Sequence, residues 1–451
     1  MNSQEKRSAF SLASIYAFRM LGLFMILPIF SLYAGKFRHA NLTLIGIALG
    51  IYGLTQAVLQ IPFGMLSDRI GRKPVIFFGL LLFAFGSVIA AEAHSIYGII
   101  LGRALQGAGA IGSTLTAFIA DNVEDENRLK AMSIVGMTIG LSFILAMILG
   151  PIFSNIIGLS GIFWFTAILA VLGIIIVLTV VPGQKQHVVH RDAEAVPTHF
   201  GKIMAMPELL RLDFGIFTLH ASLTALFLVV PLLLTHSTGL PLDRQWVLYL
   251  PVLILAFFAM VPFIIIAEAK RRMKTIFTGA VIVITAMQFL LWPYHQNLFA
   301  MGIILFIFFT AFTLLEASLP SLVAKIAPAG RKGTAMGIYS SAQFLGIFVG
   351  GSLGGWLFHR YGINSVFIFC GTLGVIWSFL AITMRKPQHL SSKIVSISRL
   401  SKAKVDQLET ALLNVSGIAE AMVCSDEQLA YLKVDKKLLD TEKLTMLIQS
   451  T

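Results

Sequence analysis

Long uninterrupted runs of apolar residues alternate along the chain with short polar segments. A helix needs about 20 apolar residues to cross the hydrocarbon core of a bilayer. Twelve runs meet this length, and we number them as spans 1 to 12; they cover residues 10–34, 44–66, 74–92, 96–120, 131–156, 161–181, 212–235, 246–268, 275–293, 298–324, 333–358 and 362–384. The pattern therefore predicts a polytopic all-α membrane protein with 12 transmembrane helices.

Basic residues are concentrated in the polar segments on one side of this predicted bundle. The start of the chain, every second loop and the exit from span 12 hold 20 Lys and Arg residues; the opposite loops hold four, Lys36, Arg38, Arg244 and Arg360. Cytoplasmic loops collect Lys and Arg. Because an even number of spans returns the chain to its starting side, we expect both termini in the cytoplasm.

The longest polar segment of the membrane part predicts two halves joined by a linker. The halves cover residues 1–181 and 212–386, and residues 182–211 form a cytoplasmic linker. The halves resemble each other: span 2 ends in PFGMLSDRIGRK and span 8 in PFIIIAEAKRRM. Transporters are commonly built from such repeats, with the substrate site at the interface between them.

Residues 391–451 have a different pattern, which predicts a small soluble domain. Short alternating runs predict strands around Val395 and over Ile418–Cys424 and Leu429–Asp435. Apolar residues at helical spacing follow Ser401, and again follow Asp440. The order βαββα is typical of a ferredoxin-like domain. A domain of this size is marginally stable alone, and it is expected to bind a partner or a second copy of itself.

Composition and charge agree with a membrane protein. The 451 residues are 57% hydrophobic and 12% charged, whereas about 25% is usual for soluble proteins. The net charge of +12 lies entirely in residues 1–390, which hold 26 Lys and Arg against 14 Asp and Glu, while residues 391–451 hold eight of each. Basic loops beside an anionic leaflet account for this excess, so nucleic acid is not predicted as a partner.

The loop between spans 2 and 3 carries the most specific motif. Its characteristic residues are Gly64, Asp68, Arg69, Gly71, Arg72 and Lys73. An ordinary basic loop is the alternative interpretation, but this combination of Gly, Asp and Arg in a chain with 12 spans resembles the signature loop of the major facilitator superfamily. The resemblance implies two six-helix bundles that open alternately to either side of the membrane.

Two further motifs support the resemblance. Span 4 reads LGRALQGAGA, in which Arg103 and Gln106 match a motif whose Arg takes part in proton coupling in the family. Span 5 ends in Gly150 and Pro151, similar to the kink of drug/proton antiporters, although Ala146 stands where that pattern prefers Gly. The resemblance favours antiport without establishing it.

The resemblance also implies a conformational latch and a location. In the family, the loop Asp and Arg join an acidic residue at the end of span 4 and stabilise the outward-facing state, so the candidate latch is Asp68, Arg72 and Asp121. Glu268 stands for Asp68 in a degenerate second copy. A bacterial inner membrane, a proton gradient as the driving force and no cofactor are implied as well.

Four ionisable residues lie inside the predicted spans and away from their ends: Arg19, Arg103, His220 and Glu316. Such residues are costly in a membrane and are functional candidates by default. Glu316 is the first candidate for the group that binds and releases the transported proton, and a structural pairing is the alternative. His220 ordinarily titrates near neutral pH but is more often a core residue in such a position. Asp213 is predicted to lie at the surface.

Arg19 and Arg103 stay charged, and they either attract an anionic substrate, influence a nearby carboxylate, or hold helices together. Uncharged polar residues that could line a central cavity are Tyr52, Gln56, Gln60, Gln106, Tyr339 and Gln343. Hydrogen bonding between helices is the alternative role for this set.

Several other patterns do not predict nucleotide binding, catalysis or metal binding. The glycines from Gly107 to Gly112 and from Gly350 to Gly354 imitate nucleotide-binding and nucleophile motifs, but those motifs need a strand–turn–helix context. The only cysteines, Cys370 and Cys424, cannot build a thiolate metal site, so no metal is predicted. An enzyme is therefore not predicted.

The leading hypothesis is a proton-coupled exporter of a small amphipathic drug or metabolite. A proton symporter or uniporter for a polar metabolite is the alternative within transport. A membrane sensor or scaffold that signals through residues 391–451 is the alternative from another class, and this segment is also a candidate for self-association or ligand sensing.

Overall fold

The computed structural model describes residues 1–123, 125–182, 199–386, 390–398, 401–425, 427–435 and 438–449. Its elements are α1 (Ser3–Met25), α2 (Phe30–Ala34), α3 (Leu42–Ile70), α4 (Arg72–Ala91), α5 (Ile96–Ala108), α6 (Gly112–Asn122), α7 (Asp125–Thr179), α8 (Phe200–Met204), α9 (Pro207–His236), α10 (Trp246–Ala269), α11 (Met273–Tyr294), α12 (Leu298–Ile326), α13 (Lys332–Tyr361), α14 (Ile363–Thr383), β1 (Ser391–Ser396), α15 (Lys402–Leu413), β2 (Ile418–Cys424), β3 (Leu429–Val434) and α16 (Thr441–Gln449). Most of the predicted linker lies outside the described residues.

The twelve predicted spans appear in the described residues as ten helices that are long and apolar enough to cross a membrane, together with shorter helices. Spans 5 and 6 are both contained in α7, whose backbone leaves the helical conformation at Gly158. Span 4 is divided into α5 and α6. Span 1 is divided into α1 and α2 around Pro28, a residue without the N–H that a continuous helix needs.

The Gly150–Pro151 pair keeps a helical backbone, and the break within α7 lies at Gly158 instead. Gly150 has a different contact. A side chain there would lie 2.6 Å from the Met25 carbonyl oxygen, so the missing side chain lets α7 approach the end of α1 closely.

The two halves meet along α3 and α13, which pack antiparallel through glycines. A Cβ atom at Gly50 would lie 2.7 Å from Phe348 O, and one at Gly355 would lie 2.6 Å from Leu42 O. Further along, Ser341 Oγ donates a hydrogen bond of 3.0 Å to Ala57 O. Only small residues allow backbones to come this close, so these glycines determine the separation of the two halves.

The halves are in closer contact at one end of the bundle than at the other. We call the end where α1 begins and α14 ends the terminal end, and the opposite end the far end. At the far end, buried apolar residues of both halves, such as Phe30, Phe163 and Leu233, belong to one continuous core. The terminal end of the first half, with Leu12, Phe118 and others, has a separate core that contains no residue of the second half.

Residues 391–449 form an α+β domain, as predicted. Its three strands are antiparallel in the order β1-β3-β2. Leu408 and Leu412 of α15 and Leu444 of α16 pack with Ala430 and Leu432 on one face of the sheet. The element order βαββα confirms the ferredoxin-like pattern of the sequence.

Candidate functional site

Glu316, His220 and Gln343 meet inside the second half, where α12, α9 and α13 pack together. Gln343 Nε2 lies 2.8 Å from His220 Nε2 and 3.5 Å from Glu316 Oε1. Glu316 Oε2 lies 3.8 Å from His220 Nε2. Helix α12 thus presents the predicted proton-binding carboxyl to two of the other candidate residues.

The hydrogen bonds define what this cluster can do. An amide NH₂ group only donates, so Gln343 donates one hydrogen to Glu316 and the other to His220 Nε2, which accepts as part of a neutral imidazole. Glu316 Oε2 has no hydrogen-bond partner among the described atoms. This second oxygen is free to take up a proton without breaking the hydrogen bond that Gln343 makes to the first.

The Glu316 side chain is 38% exposed, although its Oε2 atom is buried, and His220 is 7% exposed. Glu316 shares its helix face with Phe312 and Phe309, which lie one and two turns towards the far end. Their rings lie 6.2 and 6.4 Å from that of Phe143 in the first half, which is itself 5.1 Å from Phe24. This aromatic layer joins the halves on the far side of Glu316.

The two arginines lie together in the first half. Arg19 Nη2 donates to Tyr52 Oη and Gln56 Oε1, both at 3.1 Å. The Arg103 guanidinium lies 5.1 Å from the centre of the Tyr52 ring. Both are almost fully buried, and neither makes an ion pair within the described part of the chain. The fold therefore buries two positive charges around one tyrosine.

The two arginines differ in how well they are hydrogen-bonded. Arg103 donates to Gln106 Oε1 at 3.0 Å and to the carbonyls of Ala48 and Leu49 at 3.4 Å. Arg19 has Nε and Nη1 without a hydrogen-bond partner among the described atoms. Arg103 thus holds α5 against α3, and Arg19 has donors left over for another group.

Most of the predicted cavity residues make contacts between helices. Gln106 Nε2 donates to Ser87 Oγ at 2.8 Å, and Gln60 Nε2 lies 3.5 Å from Gly337 O and Ser341 Oγ of the other half. Tyr339 is buried, and its hydroxyl has no partner among the described atoms. Sequence reasoning missed Ser87, Ser341 and the aromatic layer, because isolated serines and phenylalanines are common in membrane helices.

The loop motif forms a buried ion-pair cluster within the first half. Arg72 Nε donates to Asp121 Oδ2 at 2.9 Å, and Arg72 Nη1 is paired with Asp68 and lies 2.7 Å from Ser67 Oγ. The Arg72 side chain is fully buried. Lys73 Nζ donates to Val181 O at 2.7 Å, beyond the end of α7. Arg69 is exposed, and Gly64 faces Ser113 of α6.

Glu268 and Asp213 lie towards the terminal end of the second half. Glu268 at the end of α10 pairs with Lys325 of α12 at 2.7 Å, which places an ion pair at the corresponding end of the second half. Asp213 is 8% exposed, so the prediction that it lies at the surface is wrong. The reason is that Asp213 lies on the same buried face of α9 as Leu209, Leu212 and Ile216.

Comparison with known proteins gives consistent results. The sequence profile of the Major Facilitator Superfamily matches residues 12–351 and 212–419. The chain is 44% identical to the inner membrane transport protein YajR of Escherichia coli over 449 residues, covering all of this chain and 98% of that protein. It is 24% identical to multidrug resistance protein 1 of Bacillus subtilis, covering 82% of this chain and 95% of that protein.

A solved structure shows the same fold. The D-xylose–proton symporter superposes with a TM-score of 0.67 at 15% identity, covering 83% of this chain and 97% of the symporter. The full-length relative and the family profile confirm both the predicted fold and the prediction that the chain is a transporter rather than an enzyme. The chain belongs to the major facilitator superfamily.

Proposed function

We propose that this transporter couples proton movement to the export of a small amphipathic compound by alternating access. The observation that carries the proposal is the position of Glu316: its side chain is partly exposed, its buried Oε2 has no hydrogen-bond partner among the described atoms, and an aromatic layer joins the halves on its far side. We propose that protons reach this carboxyl from the terminal end.

The two sides of the membrane follow from the loops. The basic loops favour a cytoplasmic terminal end, so we assign the far end, where the halves are joined, to the outer side of a bacterial inner membrane. The name of the Escherichia coli relative supports this location, and that of the Bacillus subtilis relative supports export. The drive is the proton gradient, and no cofactor takes part.

Substrate and proton occupy different halves in this proposal. The buried Arg19 and Arg103 surround Tyr52 in the first half, and Glu316 lies in the second. Tyr52 packs against Phe344, the neighbour of Gln343, with ring centres 6.3 Å apart. A change of charge at Glu316 is therefore transmitted through Gln343 to the surface where the halves meet.

Glu316→Gln tests the proposal. The amide keeps the size of the side chain and cannot release a proton, so we expect the variant to insert normally and to lose pH-gradient-driven transport. The measurement is the flux of neutral or anionic lipophilic dyes in inside-out vesicles under an imposed pH gradient, because the two buried arginines would repel a cationic dye. The control is Glu92→Gln, because Glu92 is an exposed residue that hydrogen-bonds Trp164 at the far end.

The outcomes separate the alternatives. Unchanged coupling in Glu316→Gln would contradict the assigned role. When substrate is added outside proteoliposomes, an antiporter releases protons into the outer medium. A symporter removes protons from the outer medium. Deletion of residues 391–451 is expected to leave flux measurable, whereas a scaffold would lose its function completely.

A further inference from the structure

The central strand of the C-terminal sheet is buried on both faces, although the helices of the domain cover only one. All six residues of β3 are buried. Leu429 and Tyr431, which point away from α15 and α16, pack with Cys424, Met422 and Ala329. Ala329 belongs to the segment between α12 and α13. The membrane part of the chain thus covers the face that a small sheet would otherwise leave open.

Two charged side chains fix this contact at its polar edge. Lys433 Nζ donates to Lys325 O, one of the last four carbonyls of α12. Glu420 Oε2 accepts the backbone N–H of Ala329 at 3.0 Å, just ahead of α13. The last carbonyls of a helix lack partners inside the helix and carry partial negative charge, so a lysine is suited to this end.

The segment held in this way is tied to the rest of the second half as well. The side chain of Lys325, whose carbonyl binds Lys433, pairs with Glu268 of α10. Gly330 has a φ of 68° and lies against Met422. Helix α12 carries Glu316 and helix α13 carries Gln343, so the domain contacts the connection between the two helices that build the proton site.

We propose that the C-terminal domain is an intramolecular clamp on the α12–α13 connection, which it holds with the open face of its sheet and with Lys433 and Glu420. The clamp makes α10, α12 and α13 one unit at the terminal end and preserves the alignment of Glu316 with Gln343. While the clamp is closed, this face of the sheet is unavailable to another protein.

The first test asks whether the contact exists in the membrane. In a chain with Cys370→Ser and Cys424→Ser, we introduce Ala329→Cys with Met422→Cys, and a protease site at residues 387–389. After oxidation and cleavage, the C-terminal fragment is expected to remain disulfide-linked to the membrane part. The control pair is Ala329→Cys with Thr410→Cys, because Thr410 is exposed on α15. Absence of the first cross-link, or equal formation of both, would overturn the proposal.

The second test asks whether the contact restrains the helices. Lys433→Met with Glu420→Leu removes both charges together with their hydrogen bonds to the connection, and leaves the core between the sheet and its helices unchanged. We expect hydrogen exchange of the backbone amides over residues 322–335 to become several-fold faster in the full-length protein, because local opening then costs less free energy. Lys404→Met with Asp406→Asn, at exposed positions of α15, is the matched control.

Exchange within the C-terminal domain itself serves as the folding check. It is expected to stay unchanged in the variant without the two charges. Unchanged exchange over residues 322–335 in that variant would show that the contact restrains nothing and would overturn the clamp. Neither test depends on the direction of transport or on the substrate, so the outcome is independent of the proposed export function.

Discussion

Arg72 has a completely buried guanidinium that contacts two carboxylates, and its partner Asp121 is 4% exposed. Removing the single partner of a buried charge costs about 3–5 kcal/mol, whereas an exposed ion pair contributes about 0–1 kcal/mol. Because Arg72 keeps Asp68 when Asp121 is replaced, we expect a cost between these two ranges.

Asp121→Asn is therefore expected to lower the unfolding midpoint of the purified protein in detergent substantially. Glu208→Gln is the control, because the Glu208–Arg211 pair of 3.2 Å is partly exposed, at 23% and 26%. We expect the control to stay close to the original midpoint. Equal decreases in both variants would mean that the buried loop cluster stabilises the protein no more than a partly exposed ion pair does.

The role of this cluster as a latch for the outward-facing state stays a prediction. The ion pairs that Arg72 makes with Asp68 and Asp121 join residues of the first half, and they are formed while the halves are joined at the far end. In this state they connect the end of α3, the start of α4 and the end of α6, all within the first half.

At the scale of elements, the contact between α3 and α13 depends on glycine. The backbones are so close that a Cβ atom at Gly355 would lie 2.6 Å from Leu42 O, at the far end of both helices. A larger side chain there has to separate the helices, because a backbone oxygen cannot move aside as a flexible side chain can. The closed far end is thus the arrangement that these glycines permit.

Gly355→Leu is expected to open the far end. The readout is Ile45→Cys in a chain without other cysteines, because Ile45 is 3% exposed in the closed arrangement. A membrane-impermeant maleimide applied from the far side is expected to label this cysteine several-fold faster in the Leu variant. The control is Gly140→Leu, since a Cβ atom at Gly140 has no neighbour within 4 Å. Equal labelling in both would contradict the role of the glycines.

The whole molecule is asymmetric between its two ends. One apolar core crosses both halves at the far end, and the first half has its own core at the terminal end. The aromatic layer of Phe143 with Phe309 and Phe312 lies between Glu316 and the far end. Access to Glu316 is therefore expected from the terminal end alone in this state.

Sided labelling tests this access together with the orientation. Thr313→Cys, near Glu316 on α12, is expected to react with a membrane-impermeant maleimide in inside-out vesicles and to be protected in right-side-out vesicles. Lys270→Cys, in a terminal-end loop, serves as the control and is expected to follow the same sidedness at a higher rate. Labelling of Lys270→Cys from outside the cell would overturn the predicted orientation.

Local features of the sequence determined much of this protein. Apolar run length predicted the membrane helices, and the resemblance of the loop motif to that of the superfamily implied the cluster of Arg72 with Asp68 and Asp121. Alternating and helical spacing predicted the C-terminal domain, with β2 at its observed bounds. These features succeed because run length, periodicity and short-range motifs are read from neighbouring residues, and because bilayer thickness imposes the helix length.

Only the tertiary structure decided which distant residues meet. It joined Glu316 with His220 and Gln343, and it buried Asp213. It also gave Arg103 more hydrogen-bond partners than Arg19. It also placed the sheet of the C-terminal domain on the α12–α13 connection. The physical reason is that a side chain's partners depend on helix rotation and close packing across the two halves, which the pattern along one segment does not contain.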